Sequence, residues 1–431
     1  MNETILSPDR THIPQLILPE KIVITHAEKF ALDNGIAVYS VSAGTQDVLK
    51  IEFVFTDKST SHNSLLITSA NKLIREGTVK HSAQEISEQL DFYGAYLETE
   101  SSPDFSSIVL YTLNKYANET LNILSEVIFE AEYPEEELEI YKANSIQHLR
   151  YNKEKVAYMA RKKINEVLYG AQHPYGYNES EDDYNSLQRE SLTGFYQRYY
   201  QAGNCTVFIA GKNSDKTIPT LNTIFGSKSW LRAKESNGSE KEFTSSPDKK
   251  HFIPKEGALQ SAIRVGRRIP EKKHEDFLPL QILNTVLGGY FGSRLMSNIR
   301  EDKGFTYGIG SQLGSMLHSG FFVISTEVRS EVTQQALDEI YKEMKRLCVE
   351  PVLDKELEMV RNYMLGSFMR SVDGAFHLSD RCKSVVLFDM DYGFYERYIT
   401  AIISTSPEYM MELATKYFSE DSFFEVVAGK K

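Results

Sequence analysis

An internal duplication constrains the fold of this chain more than any other feature. Five predicted elements recur in the same order in the two halves, at an offset of roughly 210 to 219 residues. Each set contains a helix that ends at a glycine (Gly94 or Gly304), two strands, an amphipathic helix and a second long helix. The matching stretches are "SAQEISEQLDFYGAYLETES" with "FGSRLMSNIREDKGFTYGIGS", "DFSSIVLYTL" with "SGFFVISTEV", "KYANETLNILSEVIFE" with "SEVTQQALDEIYKEMKRL", and "YPEEELEIYKANSIQHL" with "PVLDKELEMVRNYMLGSF". A period this long predicts a duplicated domain rather than a solenoid of short repeats.

A polar segment separates the two halves. The stretch "KESNGSEKEFTSSPDKK" is rich in Ser, Lys and Glu and has almost no apolar residues, which is typical of an exposed linker. The sequence therefore predicts an N-terminal domain over residues 1–212, a linker over 213–250 and a C-terminal domain over 251–431.

The spacing of the first strands indicates the fold class. "IAVYSV" and "LKIEFVF" follow each other too closely for a parallel crossover, so antiparallel pairing is expected. We predict an α+β fold of two homologous domains, each a mainly antiparallel sheet with helices packed on one face.

Charge and composition exclude several classes of partner. The net charge of −12 is the opposite of the basic footprint that nucleic-acid binding requires. No apolar stretch approaches the ~20 residues needed to span a bilayer, so no membrane partner is expected. The first residues lack a basic segment leading into an apolar run, which predicts a cytoplasmic protein. The three cysteines form no C-x-x-C pair, so neither a zinc ribbon nor a redox pair is indicated.

Taken together, the order and spacing of these segments identify a family resemblance. The chain resembles the insulinase/pitrilysin-like zinc peptidases of the two-domain type related to mitochondrial processing peptidase. The resemblance extends over nearly the whole chain and includes "EGTVKHSAQEISEQLDFYGAYLETES", "HPYGYNES", "LTGFYQRYYQAGNCTVFIAGK" and "NTVLGGYFGSRLMSNIREDKGFTYGIGS". It implies a processing-peptidase/LuxS-like metallohydrolase fold.

The zinc motif of that family is degenerate here. Active members carry H-x-x-E-H on a helix before a Gly-Thr pair, because two histidines four apart share one helical face and the glutamate activates the metal-bound water. Counting back from Gly77, the histidine positions hold Thr68 and Lys72 and the glutamate position holds Asn71. The resemblance places the third ligand at Gln147. We therefore expect no metal and no catalytic residue in the isolated chain.

A second pair of residues of the family is retained. Active members use an arginine and a tyrosine, seven residues apart in the C-terminal domain, to bind the substrate backbone and help stabilise the oxyanion. Arg300 and Tyr307 stand at that spacing. The local pattern also allows a purely structural interpretation, with Arg300 at a helix end and Tyr307 on a strand face with Phe305 and Ile309.

These observations predict a non-catalytic subunit of a zinc-dependent peptidase heterodimer. Its partner would be a homologous chain that carries the zinc site, and the substrate would be an extended peptide. Two alternatives remain open, namely a structural or peptide-binding relative without catalysis and a zinc peptidase with an unrecognised site. Whether the isolated chain forms a homodimer is also open.

Overall fold

The fold combines two β-sheets with helices that surround them, as the predicted α+β class requires. The computed structural model describes residues 11, 22–56, 64–230 and 242–430. No helix in this part of the chain is both long enough and apolar enough to cross a bilayer.

The first sheet is built by the N-terminal half. Its strands are β1 (Glu28–Ala31), β2 (Ala37–Ser42), β3 (Val48–Thr56), β4 (Tyr96–Ser101), β5 (Phe105–Leu113) and β6 (Cys205–Gly211). Their order across the sheet is β1-β2-β6-β3-β5-β4, and only the β2–β6 pair is parallel. The strands β2 and β3 run antiparallel as predicted, but they do not pair directly, because β6 inserts between them.

The second sheet is built by the C-terminal half. Its strands are β7 (Lys250–Pro254), β8 (Gln260–Ile269), β9 (Ile309–Ser315), β10 (Gly320–Arg329) and β11 (Phe424–Gly429). Their order is β7-β11-β8-β10-β9, with one parallel pair, β7–β11. Both sheets are therefore mainly antiparallel, as predicted.

Fourteen α-helices lie in the described part of the chain. They are α1 (Ser64–Leu73), α2 (Ala83–Phe92), α3 (Ala117–Phe129), α4 (Glu135–Lys153), α5 (Val156–Tyr169), α6 (Glu181–Asn185), α7 (Arg189–Tyr199), α8 (Ile218–Phe225), α9 (Phe277–Asn284), α10 (Thr333–Val349), α11 (Asp354–Arg370), α12 (Ala375–Val386), α13 (Gly393–Ser404) and α14 (Pro407–Tyr417). Two π-helical segments, Thr285–Gly289 and Met296–Asp302, follow α9.

The duplicated elements appear in the structure in the predicted order. In the first half α2, β4, β5, α3 and α4 follow one another, and in the second half the segment Met296–Asp302 is followed by β9, β10, α10 and α11. The glycines between the first helix and strand have nearly the same left-handed backbone, with φ of +61° at Gly94 and +62° at Gly304. Only glycine adopts this conformation without a steric cost, which explains why both repeats carry it.

The two halves exchange a helix with each other. Helix α5 of the first half packs on β8 and β11 of the second sheet, and α12 of the second half packs on β2 and β6 of the first sheet. These helices cover the sheet faces opposite the two main cores, so each sheet is buried on both sides.

The end of the first unit lies beyond residue 212. Helix α8 falls inside the segment that the sequence assigned to the linker, and its Leu221 and Phe225 are fully buried in the first core. The ring of Phe225 lies 4.6 Å from that of Phe53 on β3. The local composition of α8 is apolar, in contrast to the polar stretch after it, and this packing holds it in the first unit.

Buried ion pairs join α12 to the first sheet. Lys50 and Glu52 on β3 are 6% and 1% exposed, and they point to the face that α12 covers. Lys50 Nζ donates to Asp380 Oδ1 at 2.6 Å, and Lys383 Nζ donates to Glu52 Oε1 at 2.7 Å. A charge removed from water in this way is tolerated only when it is paired, so α12 is fixed in position as well as in register.

Removing one partner of this network is expected to destabilise the protein. Lys383→Met leaves Glu52 with only the 3.6 Å approach of Lys50, and we expect the free energy of unfolding to fall by about 2 kcal/mol. Chemical denaturation measures this loss. The exposed pair of Lys212 with Asp47 provides the control, since Lys212→Met should cost less than about 1 kcal/mol. Equal effects of the two substitutions would contradict a stabilising role for the ion pair of Lys383 with Glu52.

The two repeat glycines should respond alike to alanine. An added Cβ meets no atom within 4 Å at either Gly94 or Gly304, so only the left-handed backbone opposes the change. We expect Gly94→Ala and Gly304→Ala each to lower the free energy of unfolding by about 1 kcal/mol, measured by chemical denaturation. Gly194 in α7 is equally unobstructed, and Gly194→Ala should instead stabilise the helix by about 0.5–1 kcal/mol.

Candidate functional site

Arg300 and Tyr307 lie on one open cleft of the C-terminal half. The cleft has a volume of about 650 Å³ and lies beside the first residue of β8 and the last residues of β10. Its lining includes Gln260, Arg300, Thr306, Tyr307, Glu327 and Arg329. The structure thus brings together the two residues that the sequence singled out in this half.

Tyr307 projects from a turn and not from a strand. Its side chain is 95% exposed, and β9 begins only at Ile309. The expected strand over residues 305–308 is wrong because Thr306 holds a turn there. Its hydroxyl donates to the carbonyl of Glu327 at 2.7 Å and accepts from the amide of Gly308 at 3.1 Å. The structural interpretation of Tyr307, in which it shares a strand face with Phe305 and Ile309, therefore fails.

Arg300 is oriented by two contacts within the same region. Its Nε donates to the carbonyl oxygen of Tyr307 at 3.0 Å. Its guanidinium lies 4.7 Å from the centre of the Phe291 ring, a cation–π distance. In the described part of the chain the closest carboxylate to Arg300 is that of Glu301 at 3.8 Å, with both side chains partly exposed. The guanidinium is therefore held in place while its charge is not neutralised by a tight ion pair.

Sequence reasoning missed the aromatic platform of Arg300, which is the ring of Phe291. The stretch "VLGGYFGSRL", residues 286–295, is typical of a flexible turn before a helix. Its first four residues belong instead to the π-helical segment Thr285–Gly289, and such segments are frequent at functional sites. A Cβ at Gly288 would lie 2.6 Å from the amide nitrogen of Ser311, so the glycine allows this segment to approach β9. Phe291 follows, 64% exposed. An aromatic residue in a glycine-rich, otherwise polar loop was the signal that could have identified it.

Side chains from α10 and α11 support the arginine-bearing segment. The amide of Asn298 donates to Glu339 at 2.8 Å and to Glu343 at 2.7 Å, both on α10. Arg294 makes two hydrogen bonds of 2.9 Å to the carboxylate of Glu356 on α11. A bidentate pair of this kind fixes orientation as well as distance. The segment that carries Arg300 is thus tied to rigid helices on the side away from the cleft.

The degenerate zinc motif lies on α1, and its residues point in different directions. Thr68 and Lys72 are exposed, one helical turn apart, whereas Asn71 is completely buried. The Asn71 amide donates to the carbonyl oxygens of Glu100 and Ser107 at 2.6 and 3.2 Å, and its carbonyl accepts from the Tyr200 hydroxyl at 2.9 Å. The position of the general base is therefore occupied by a residue that ties α1 to β4 and β5.

Gln147 is exposed on α4, a helix that neighbours α1. The contact between these helices is the 3.0 Å hydrogen bond of Ser69 with the Tyr141 hydroxyl. Gln147 lies six residues beyond Tyr141 on α4, which corresponds to about 9 Å along the helix axis.

Of the three histidines near the motif, two lie in the described part of the chain, and these two do not come together at the motif positions. His81 Nδ1 lies 2.8 Å from Glu126, His148 is exposed on α4, and His62 falls outside the described residues. Across the described ranges, no group of three or more His, Cys, Asp or Glu side chains is arranged to hold a metal ion.

Part of the chain matches a known family model. Residues 186–364 match the family model described as the peptidase M16 inactive domain. This segment, which is less than half of the chain, is similar to that domain. The uncharacterized zinc protease YmxG of Bacillus subtilis is 26% identical over 400 residues, which covers 91% of this chain and 94% of that protein. The non-peptidase homolog YmxG of Helicobacter pylori is 24% identical over 304 residues, covering 69% and 68%.

A solved structure shares the fold of this chain. The crystal structure of a peptidase M16 inactive domain from Pseudomonas fluorescens superposes with a TM-score of 0.84 at 20% sequence identity, and the match covers 94% of this chain and 98% of that one. The matched residues 186–364 include Arg300 and Tyr307 but not α1. The match to an inactive domain is consistent with a non-catalytic role for this chain.

A single isosteric change tests the structural role of Asn71. Asn71→Asp replaces two donated hydrogen bonds with a carboxylate facing two carbonyl oxygens, and we expect a loss of about 3 kcal/mol in the free energy of unfolding at pH 7. Burial raises the pKa of the new carboxyl, so the loss should be present above that pKa and shrink as the pH falls through it. Denaturation at pH 7 and pH 5 measures both effects. The exposed Asn122→Asp on α3 should change stability by less than about 0.5 kcal/mol.

Proposed function

We propose that this chain is the non-catalytic subunit of a zinc-dependent peptidase heterodimer. Arg300 and Tyr307 would act on a peptide held at the zinc site of a homologous partner chain. The observation that carries the proposal is an asymmetry within one molecule. The metal-binding positions of α1 hold no zinc ligands, while the arginine and tyrosine of the other half share an open cleft.

The geometry of the pair supports this role. A guanidinium and a phenol are both hydrogen-bond donors, and both would be placed toward the carbonyl oxygen that gains negative charge during peptide cleavage. Arg300 is pre-oriented by Phe291 and by the Tyr307 carbonyl, so little reorganisation is needed when a substrate arrives. The 95% exposure of Tyr307 leaves its side chain accessible to a second chain or to a peptide.

The state of β4 supports placing the scissile bond at the partner. This strand is an edge of the first sheet, the kind of surface on which an extended peptide can add as a further strand. Here Arg75, which follows α1, donates to the carbonyl of Leu97, and Asn71 of α1 donates to that of Glu100, each at 2.6 Å. The proposal therefore assigns the zinc ion, the activated water and the peptide-binding strand to the partner.

Substitution of the pair within a reconstituted complex tests the proposal. The probe is the purified complex of this chain with a homologous subunit that carries H-x-x-E-H, assayed for cleavage of an extended peptide. We expect Arg300→Ala and Tyr307→Phe each to lower kcat by about 10²–10³, because each removes a donor to the oxyanion. The matched controls are Arg370→Ala and Tyr151→Phe, which alter exposed residues on α11 and α4.

The outcomes separate this proposal from its alternatives. Full activity of the complex with both substitutions combined would contradict the proposed role of Arg300 and Tyr307. Stable assembly with a zinc-bearing chain but no peptidase activity would favour a structural or peptide-binding subunit. One equivalent of zinc in the isolated chain would point to an unrecognised metal site, and a stable homodimer that does not exchange with the partner would argue against the heterodimer. The cytoplasmic location expected from the sequence remains part of the proposal.

A further inference from the structure

A cavity of about 460 Å³ lies in the C-terminal half, away from the cleft of Arg300 and Tyr307. It is lined by the loop between β8 and α9, α9 itself, the end of β9, the last turn of α11, and α12 and α13. Its size is within the range of cavities that hold small organic molecules. No residue of this cavity also lines the Arg300 cleft.

Two cationic side chains converge on this cavity without a compensating carboxylate. Lys272 and Arg381 both line it, and no Asp or Glu does. Across the described residues neither of them lies within 4.0 Å of a carboxylate oxygen, although tight ion pairs are frequent elsewhere in the fold. Burial, and then repulsion from Arg381, lowers the pKa of Lys272 to about 8. Buried charges are normally paired, so this cavity has an unbalanced positive charge.

The hydrogen bonds of the two cations are also incomplete. Lys272 Nζ donates to the carbonyl oxygen of Ser384 at 2.9 Å and lies 4.8 Å from the ring centres of Phe388 and Phe394. Arg381 Nε is buried and has no hydrogen-bond partner in the part of the chain that the structure describes. A buried donor left unsatisfied costs free energy, and a ligand that accepts its hydrogen bond would recover that cost.

The remaining lining combines aromatic rings with polar groups, among them the side chains of Gln281, Ser315, Ser367, Ser371 and Ser384. Phe277, Phe368, Phe388 and Phe394 line the cavity, together with the rings of Tyr395 and Tyr398. The Tyr395 hydroxyl is already engaged with Ser384 Oγ and the Arg381 carbonyl, both at 2.7 Å, so its ring contributes chiefly an apolar surface. A cavity that offers aromatic rings beside two cations matches a molecule that has an aromatic body and an anionic end.

We infer that this cavity is a binding site for a small organic anion, a carboxylate or a phosphate monoester on an aromatic body. The anionic group accepts hydrogen bonds from Lys272 and Arg381, and the aromatic body packs among the phenylalanine rings. Neutralising two partly buried cations at once gives the anion a selective advantage over a neutral molecule of the same shape.

Isothermal titration with small probes tests the inference on the full chain. The probes are phenylacetate and phenyl phosphate, which separate a carboxylate from a phosphate source, and 2-phenylethanol, which has the same aromatic body without a charge. We expect at least one anion to bind with a Kd of about 1 mM or tighter, and at least 10-fold more tightly than the alcohol. Equal affinity for the anions and the alcohol, or no heat from either anion up to about 10 mM, would overturn the inference.

Substitutions in the cavity identify the residues that bind the anion, and a melting measurement checks that a cavity variant is folded. Lys272→Met and Arg381→Met should each weaken the anion by about 10-fold or more, since each removes a charged hydrogen bond. Arg397→Met alters a cation of the neighbouring open cleft and should leave the affinity unchanged. Without ligand, Arg381→Met should melt at the same temperature as the wild type or higher, because a repulsion between partly buried cations is relieved. Unchanged affinity in both cavity variants, or a large drop in the melting temperature of Arg381→Met without ligand, would contradict the assignment.

Discussion

The burial of β3 on both faces is the constraint on which the rest of the structure depends. One face of this strand enters the core of the first half, and the other face presents Lys50, Glu52 and Val54 to α12 of the second half. A buried carboxylate and ammonium need partners, and Asp380 and Lys383 supply them only when α12 is in place. The reciprocal packing of α5 on the second sheet makes the two halves one unit. Neither half alone buries both faces of its own sheet.

This arrangement is compatible with the proposal that the metal site is lost while the cleft of Arg300 and Tyr307 is kept. The α1 region is fixed by packing that does not need a metal, since Asn71 ties the helix to β4 and β5 through hydrogen bonds. The cleft of Arg300 and Tyr307 is built independently, by π-helical segments that rest on α10 and α11. Because the two regions share no side chain, the chemistry of one can disappear without altering the geometry of the other.

Much of the fold could be predicted from the sequence. Periodicity and the two glycines revealed the duplicated elements, because amphipathic spacing and a left-handed turn are local properties. Strand order was not accessible: β6 lies about 150 residues from β3 in sequence, and its insertion between β2 and β3 is a long-range event. Spacing from Gly77 located Thr68, Asn71 and Lys72 on α1, and the resemblance located Arg300 and Tyr307. The bonds of Thr306 and the Phe291 platform could not be inferred, since they depend on a neighbouring strand and on a glycine-permitted approach.

The central claim is that this chain completes the active site of another. The most direct measurement adds the purified chain in increasing amounts to a fixed concentration of a homologous subunit with an intact H-x-x-E-H motif, and follows cleavage of an extended peptide. The account predicts negligible activity for either chain alone and a rate that rises to a plateau at one equivalent. Full activity of the zinc-bearing subunit alone, unchanged when this chain is added, would contradict it.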